Sequence, residues 1–430
     1  MGRTGERDKM VTVRSLGEKY NLYNHGKHAV KLYEACPVAG VNPEFSPERI
    51  MVLAEKDPEA LVKSTLIWEC LACGLCIEIT GGEVQMSRFI REVRKLAHSA
   101  GYAGTETHGG MLITVQRMNW SAELKPRRTG WITESPEQFD ANTSLKSEEK
   151  SLVTESPERF NAKTEPEPGR SSWTREPLKV ESNRGRYLYW VGGAPFFDAV
   201  MPELKPASLD SARAAIFLLN KLGVKPVVLE NERFSGHDLL WAGDIKGFRS
   251  LAEQNLKNIE SSGAETVIVS SPGDYYTLAK DYGEYCRDPH FEVCHITEFL
   301  AQHIGMLEFS ESGKRVTYHD PCRLGRGMGV YNAPREILRA IPGVELVEMK
   351  NIRELSSCCG TSCWINCGRY SKLMQENRLK EAAASGTEAL ITTCWECAIH
   401  FRCTLRPEAW QQTSMEVEDL TVLAASLLLG

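Results

Sequence analysis

The sequence predicts an α+β multidomain protein, with a helical, cysteine-bearing N-terminal domain followed by a duplicated α/β domain. Three observations predict it. Apolar residues before position 118 recur at helical spacing; from Arg186 onward short apolar runs alternate with helical stretches; and that alternation occurs twice. At 430 residues, with 42% hydrophobic and 25% charged, the chain has the composition of an ordinary soluble protein and is long enough for two or three domains.

Residues 1–117 form the first domain. Ser46 is placed to cap a helix with Pro47 at its first position, leading into Ile50, Met51 and Leu53. Ser87 to Ala97 repeats the theme, with Phe89, Ile90, Val93, Leu96 and Ala97 on one face. Residues 118–185 are rich in Glu, Lys, Ser, Thr and Pro, and the stretch 133–143 recurs as 154–164, an offset of 21. Such a composition cannot bury a core of its own. It reads either as a duplicated solvated linker or as an extended segment whose Trp131, Phe139, Phe160 and Trp173 dock as spaced anchors on a domain or partner.

Residues 186–310 offer strands at 187–191, 227–229 and 266–269, with a helix around 211–222. Residues 311–430 repeat the order, with strands at 316–318, 345–348 and 389–392, a helix at 334–341 and a closing core helix within 420–429. That last apolar run is too short to span a bilayer. Alternation of this kind makes parallel sheets, whose sites lie beyond the carboxyl ends of the strands. The net charge of −6 and the scattered Lys and Arg argue against a nucleic-acid partner. The first eight residues are charged, with no apolar run, so neither a secretory signal nor a twin-arginine leader is expected. Fourteen cysteines in such a chain point to metal or redox chemistry in the cytoplasm, not to a disulfide framework.

The first cysteine constellation is Cys36, Cys70, Cys73 and Cys76. In a two-cluster ferredoxin run, C-x2-C-x2-C-x3-C-P, the fourth cysteine of each run serves the cluster held by the other. Cys70, Cys73 and Cys76 are the first three ligands of one run, whose fourth position falls at Thr80; Cys36-Pro37 ends the other, whose first three positions fall at Gly26, Ala29 and Leu32. One crossed set is wholly lost and its complement wholly kept. The kept set predicts one cubane [4Fe–4S] cluster, since soft thiolates suit iron–sulfur units. A structural zinc site instead pairs two separated C-x2-C knuckles.

In the second α/β half, Cys322 is followed after 35 residues by Cys358-Cys359-Gly360, and these after 34 residues by Cys394-x2-Cys397. Here the sequence resembles the cysteine-rich CCG-domain family, found in the catalytic subunit of heterodisulfide reductases and in iron–sulfur subunits of glycolate, lactate and glycerol-3-phosphate oxidising systems. With its helical ferredoxin-like cluster domain followed by a duplicated α/β (CCG) domain, it looks most like the fused, D-type form of the heterodisulfide reductases. The resemblance implies that Cys322, Cys358, Cys359, Cys394 and Cys397 bind one noncubane [4Fe–4S] cluster. Five thiolates exceed what a cubane needs, and the excess suits a bridge. Taken alone, Cys394 and Cys397 also read as a redox dithiol at a helix N-terminus.

The first repeat departs from the family: Gly193, Phe234-Ser235-Gly236 and Ser271-x2-Asp274 stand where thiolates are expected, so this repeat is expected to be scaffold. Cys363 and Cys367, at intervals of four from Cys359, align on one face if the segment is helical, either as packing or as extra thiols beside the cluster. Cys286, Cys294 and Cys403 are left as structural. His319, Arg323 and Arg326 flank Cys322 and read either as proton donors and anion holders or as loop-fixing residues.

The resemblance implies an iron–sulfur oxidoreductase subunit of heterodisulfide reductase type, handling a disulfide or thiol substrate within a complex. Its partners are expected to be flavin, haem or iron–sulfur subunits, which would also supply any membrane attachment. The rival is an electron-relay subunit of a flavin-dependent 2-hydroxy-acid or glycerol-3-phosphate dehydrogenase. A non-redox scaffold is hard to square with nine spaced ligands.

Overall fold

The computed structural model describes residues 12–23, 27–119, 130–133, 172–406 and 415–429. Gly26, Phe139, Phe160 and nearly all of the tandem repeat lie outside the described residues. The chain forms two compact units. One comprises residues 1–114, 238–245 and 360–374; the other comprises 115–237, 246–359 and 375–430. The segments that follow the triplet position in both repeats thus belong to the helical unit.

In that unit the described helices before residue 100 are Val13–Lys19, Ala29–Ala35, Pro47–Lys56, Pro58–Lys63, Leu66–Glu69, Leu75–Ile79 and Met86–Ser99. The Ser46 hydroxyl accepts from Arg49 N–H (3.4 Å) and the Asp57 carboxylate from Ala60 N–H (3.0 Å), each with a proline at the first helical position. Two successive caps separate the adjoining helices. Met86–Ser99 buries Phe89, Ile90, Val93 and Ala97, as its periodicity predicts. It also buries Arg94, whose guanidinium donates to the carbonyls of Ile67 and Trp241 (2.9 Å each) and of Cys70. The 238–245 segment enters against this helix through Gly243 at φ +89°, where a Cβ would lie 2.4 Å from the Arg94 carbonyl oxygen, so only glycine fits.

Residues 361–368 are not helical, and Cys363 and Cys367 do not continue a helical face from Cys359. The backbone is drawn elsewhere: Thr107 N–H donates to Trp364 O (2.9 Å) and Asn366 N–H to Thr105 O (2.8 Å). Cys363, Trp364 and Asn366 adopt the left-handed region, at φ 54°, 53° and 56°.

The second unit holds two parallel sheets. Strands β1 (Tyr187–Trp190), β2 (Thr266–Val269) and β3 (Glu292–His295) form one in the order β1-β2-β3; a bridge from Leu188 to Val227 extends it beyond β1. Strands β4 (Arg315–Tyr318), β5 (Glu345–Leu346), β6 (Ala389–Thr392) and β7 (Glu416–Asp419) form the other in the order β5-β4-β6-β7. With Val227 in the place of β5, the two orders are the same, so the duplication extends to topology.

The halves also pack reciprocally. Helix Ser208–Lys221 of the first repeat meets Leu420–Leu427 of the second, and Ile296–Gln302 of the first meets Asn332–Ala340 of the second, the arrangement of a pseudo-two-fold. Thr421 Oγ1 donates to Ser211 O (3.3 Å) across one of these contacts. Trp131 and Trp173 are buried in this unit. The Trp131 carbonyl accepts from Arg213, while Trp173 packs 5.9 Å from the Phe217 ring and donates to Ser426 Oγ (3.2 Å).

Candidate metal centres

In the helical unit, Cys36 caps the C-terminus of Ala29–Ala35 and Cys70 that of Leu66–Glu69. The intervening turn to Cys76 uses left-handed backbone at Ala72 (φ 47°) and Gly74 (φ 81°), which curls the run around one cavity. Cys36, Cys70, Cys73 and Cys76 all line that cavity, together with Leu32, Val38, Phe45, Ile50, Leu71 and Met86. Burial pushes the Cys36 thiol up to about 12, with Cys70 and Cys73 adding to the effect. Cys76 is also pushed well up by burial, and further by Cys73, Cys70 and Cys36. Backbone N–H groups of Ala39, Ser87 and Ala72 donate to the sulfurs of Cys36, Cys76 and Cys70. Four sulfurs held in an apolar cavity and supplied with N–H donors fit a group that keeps them as thiolates, as a cubane cluster does.

Two lost positions have other work. Leu32 is buried in the cavity wall, and Thr80 donates to Cys76 O (2.8 Å) while accepting from Val84 N–H (3.1 Å).

In the α/β unit, the second set sits where parallel strands end. Cys322 follows β4, Cys358 and Cys359 follow the β5 crossover, and Cys394 begins the helix Trp395–Thr404 just after β6, with Cys397 in its first turn. Their sulfurs form a continuous hydrogen-bonded chain, Cys322 to Cys358 to Cys359 to Cys397 to Cys394. Bonds from Cys358 and Cys397 hold Cys359 below the usual thiol range, whereas Cys322 is raised by its bond to Cys358 and by burial. Five contiguous sulfurs exceed the tetrahedral set of a zinc site and fit a multi-iron group with a bridging thiolate.

Buried arginines fix the loops. Arg335 donates to both Asp320 oxygens (2.7 and 2.9 Å) and both Glu348 oxygens (2.6 and 3.1 Å). Arg378 donates to Ser356 Oγ (3.0 Å), Asn351 O (2.9 Å) and His319 Nδ1 (3.2 Å). His319 therefore presents an accepting Nδ1, and burial followed by Arg378 and Arg326 pushes it well below the usual histidine range: it is a neutral, loop-fixing residue. Arg326 donates to the carbonyls of Glu354 (3.1 Å) and Ser356 (2.6 Å), which is also loop-fixing. Arg323 lies 3.4 Å from His237 Nε2 and over the Tyr276 ring. Sequence reading missed His400, whose Nδ1 is 3.5 Å from Cys359 Sγ; its one signal is the three-residue offset from Cys397.

The equivalent place in the first repeat is filled. Ser235 Oγ donates to Asp274 Oδ1 (2.5 Å), and the Glu232 carboxylate accepts from Val191 N–H (3.0 Å) and Gly192 N–H (2.7 Å). A Cβ on Gly192, at φ +62°, would lie 2.2 Å from Asp274 Oδ2.

The family model of the cysteine-rich domain, CCG, matches residues 204–279 and 316–402, one stretch in each repeat. The chain carries two CCG cysteine-rich domains. Its CCG region is shared with the D-type polypeptide of the dihydromethanophenazine:CoB–CoM heterodisulfide reductase of Methanosarcina mazei, at 32% identity over 60% of this chain and 63% of that one. The B-type polypeptide of the fumarate reductase (CoM/CoB) of Methanothermobacter marburgensis is 32% identical over 46% of this chain and 40% of its own. The probable iron-sulfur-binding oxidoreductase FadF of Bacillus subtilis is 35% identical over 44% and 26%. The chain thus spans about three fifths of the length of its heterodisulfide reductase relatives. Among the described residues no helix is long and apolar enough to cross a membrane.

Proposed function

We propose that this chain is an iron–sulfur oxidoreductase subunit of heterodisulfide reductase type. The observation that carries the reading is the unbroken chain of five sulfurs at the strand ends of the second CCG domain. Cys36, Cys70, Cys73 and Cys76 hold a cubane [4Fe–4S] cluster, and Cys322, Cys358, Cys359, Cys394 and Cys397 a noncubane one. When bound, these groups supply one-electron transfer and, at the C-terminal site, iron on which a sulfur can rest between the two electrons that a disulfide requires. The protein's own part is to bury the thiolates, exclude water and hold the loops through Arg335, Arg378 and Arg326. The substrate is a disulfide or thiol. Partners are flavin, haem or further iron–sulfur subunits in a cytoplasmic complex, which also supply any membrane attachment.

The similarity to the CoM/CoB fumarate reductase polypeptide and to FadF favours one second reading, a relay subunit of a flavin-dependent dehydrogenase with no sulfur substrate. Paramagnetic resonance separates the two. Oxidation of the anaerobic protein with a thiol present gives a thiol-dependent signal, broadened by iron-57, that Cys397→Ser abolishes while the N-terminal signal persists. A C-terminal site indifferent to every thiol, in a protein that still passes electrons to a dye, overturns the reductase reading.

A further inference from the structure

His400 lies one turn beyond Cys397 on helix Trp395–Thr404 and is 5% exposed. Residues three apart share a helix face, so the geometry that brings Cys397 to the sulfur chain brings the His400 ring there too. Its backbone is pinned. Thr404 Oγ1 donates to His400 O (3.2 Å) and to Oε1 of the fully buried Gln375 (2.5 Å). The ring nitrogen Nδ1 faces Cys359 Sγ at 3.5 Å, the distance of an N–H···S hydrogen bond.

We infer that His400 donates its Nδ1–H to the Cys359 sulfur and thereby raises the reduction potential of the C-terminal cluster. The inference rests on the ligand assignment proposed above. A metal-bound thiolate carries no proton and only accepts, so the nitrogen facing it is the donor. An N–H aimed at a ligand sulfur withdraws charge from it and favours the more negative, reduced state of the site. His400 is a positioning residue and not a sixth ligand, because its nearest partner is a sulfur at hydrogen-bond distance.

The test uses the full chain, purified anaerobically with its clusters, as wild type, His400→Phe and His400→Gln. Redox titration followed by paramagnetic resonance reads both clusters at once, and the N-terminal one, which shares no ligand with Cys359, is the internal reference. His400→Phe is expected to lower the midpoint potential of the C-terminal cluster alone, with iron content unchanged; His400→Gln, which keeps an N–H donor, recovers part of the shift. Double-resonance spectra of wild-type protein labelled with nitrogen-15 histidine show a weak nitrogen coupling and an exchangeable proton at that cluster, a measurement that stands even where His400→Phe fails to load iron. An unmoved potential in fully loaded His400→Phe, or a wild-type cluster with no such couplings, overturns the inference. A wild-type chain with no second cluster overturns the ligand assignment itself, and the inference with it.

Discussion

Replacing Arg335 by Met removes the cation that anchors the Cys322 loop. Arg335 has a fully buried side chain, and its main partner Asp320 is only 2% exposed; Glu348 is 28% exposed. The substitution retains most of the volume but leaves Asp320 as a buried carboxylate held by the Arg353 N–H (2.8 Å) and without its cation. Breaking a buried pair on one side costs about 3–5 kcal/mol, whereas the half-exposed Glu348 arm adds about 0–1 kcal/mol. The expected loss is therefore about 3–5 kcal/mol, read as a lower urea midpoint with an unchanged slope. Because the penalty is mainly that of the orphaned carboxylate, the double variant Arg335→Met, Asp320→Asn should regain a large part of it. Arg335→Met within about 1 kcal/mol of wild type, or a double variant as unstable as the two singles summed, would refute the reasoning.

Three further outcomes are expected. Cys36→Ser should reduce iron from about eight to about four atoms per chain, although Cys36 is remote in sequence from the other three ligands, while Thr80→Ala should keep its iron and lose about 1 kcal/mol with its two hydrogen bonds; equal iron in both variants refutes the crossed-set assignment. Ser235→Ala, Asp274→Ala and Gly193→Ala should leave the iron count unchanged, and loss of iron from any of them would mean that the first repeat holds metal. His295, donating Nε2–H to Ser270 O (3.0 Å), is pushed down to about 4 by burial. Its contribution of about 3 kcal/mol is complete above its unfolded value near 6.5 and is lost as pH falls from there towards 4. Asp198, raised to about 6 by burial, works in the opposite sense over part of that range, so the check is the difference between wild type and His295→Gln as a function of pH.

The cysteine ligand sets were legible because their spacing follows the chain's own repeat, one loop per strand end, and needs no tertiary knowledge. β1, β2, β4 and β6 were legible as apolar runs. β3 and β7 were not: Glu-Val-Cys-His and Glu-Val-Glu-Asp are edge strands, with one face and one side open to polar residues. The interval of four at Cys359, Cys363 and Cys367 suggested a helix, but pairing of Trp364 and Asn366 with residues 105–107 replaced the helical bonds. Arg94, Arg335 and Arg378 are invisible in sequence, since an arginine that clamps carbonyls and carboxylates in the interior has the same local signature as one on the surface. His400 was hidden for the same reason.

The filled strand-end site of the first repeat bears on how the two halves can change. There, each polar group completes another: Ser235 with Asp274, Glu232 with the N–H groups of Val191 and Gly192. A single cysteine put back at Ser235 or Asp274 breaks that mutual satisfaction without assembling a ligand set, leaving a buried polar atom stranded at about 1–3 kcal/mol. Every intermediate between the plugged site and a metal-bearing one is thus less stable than either end. The plugged half and the thiolate-lined half are separate valleys, and no path of single substitutions joins them without first loosening the fold.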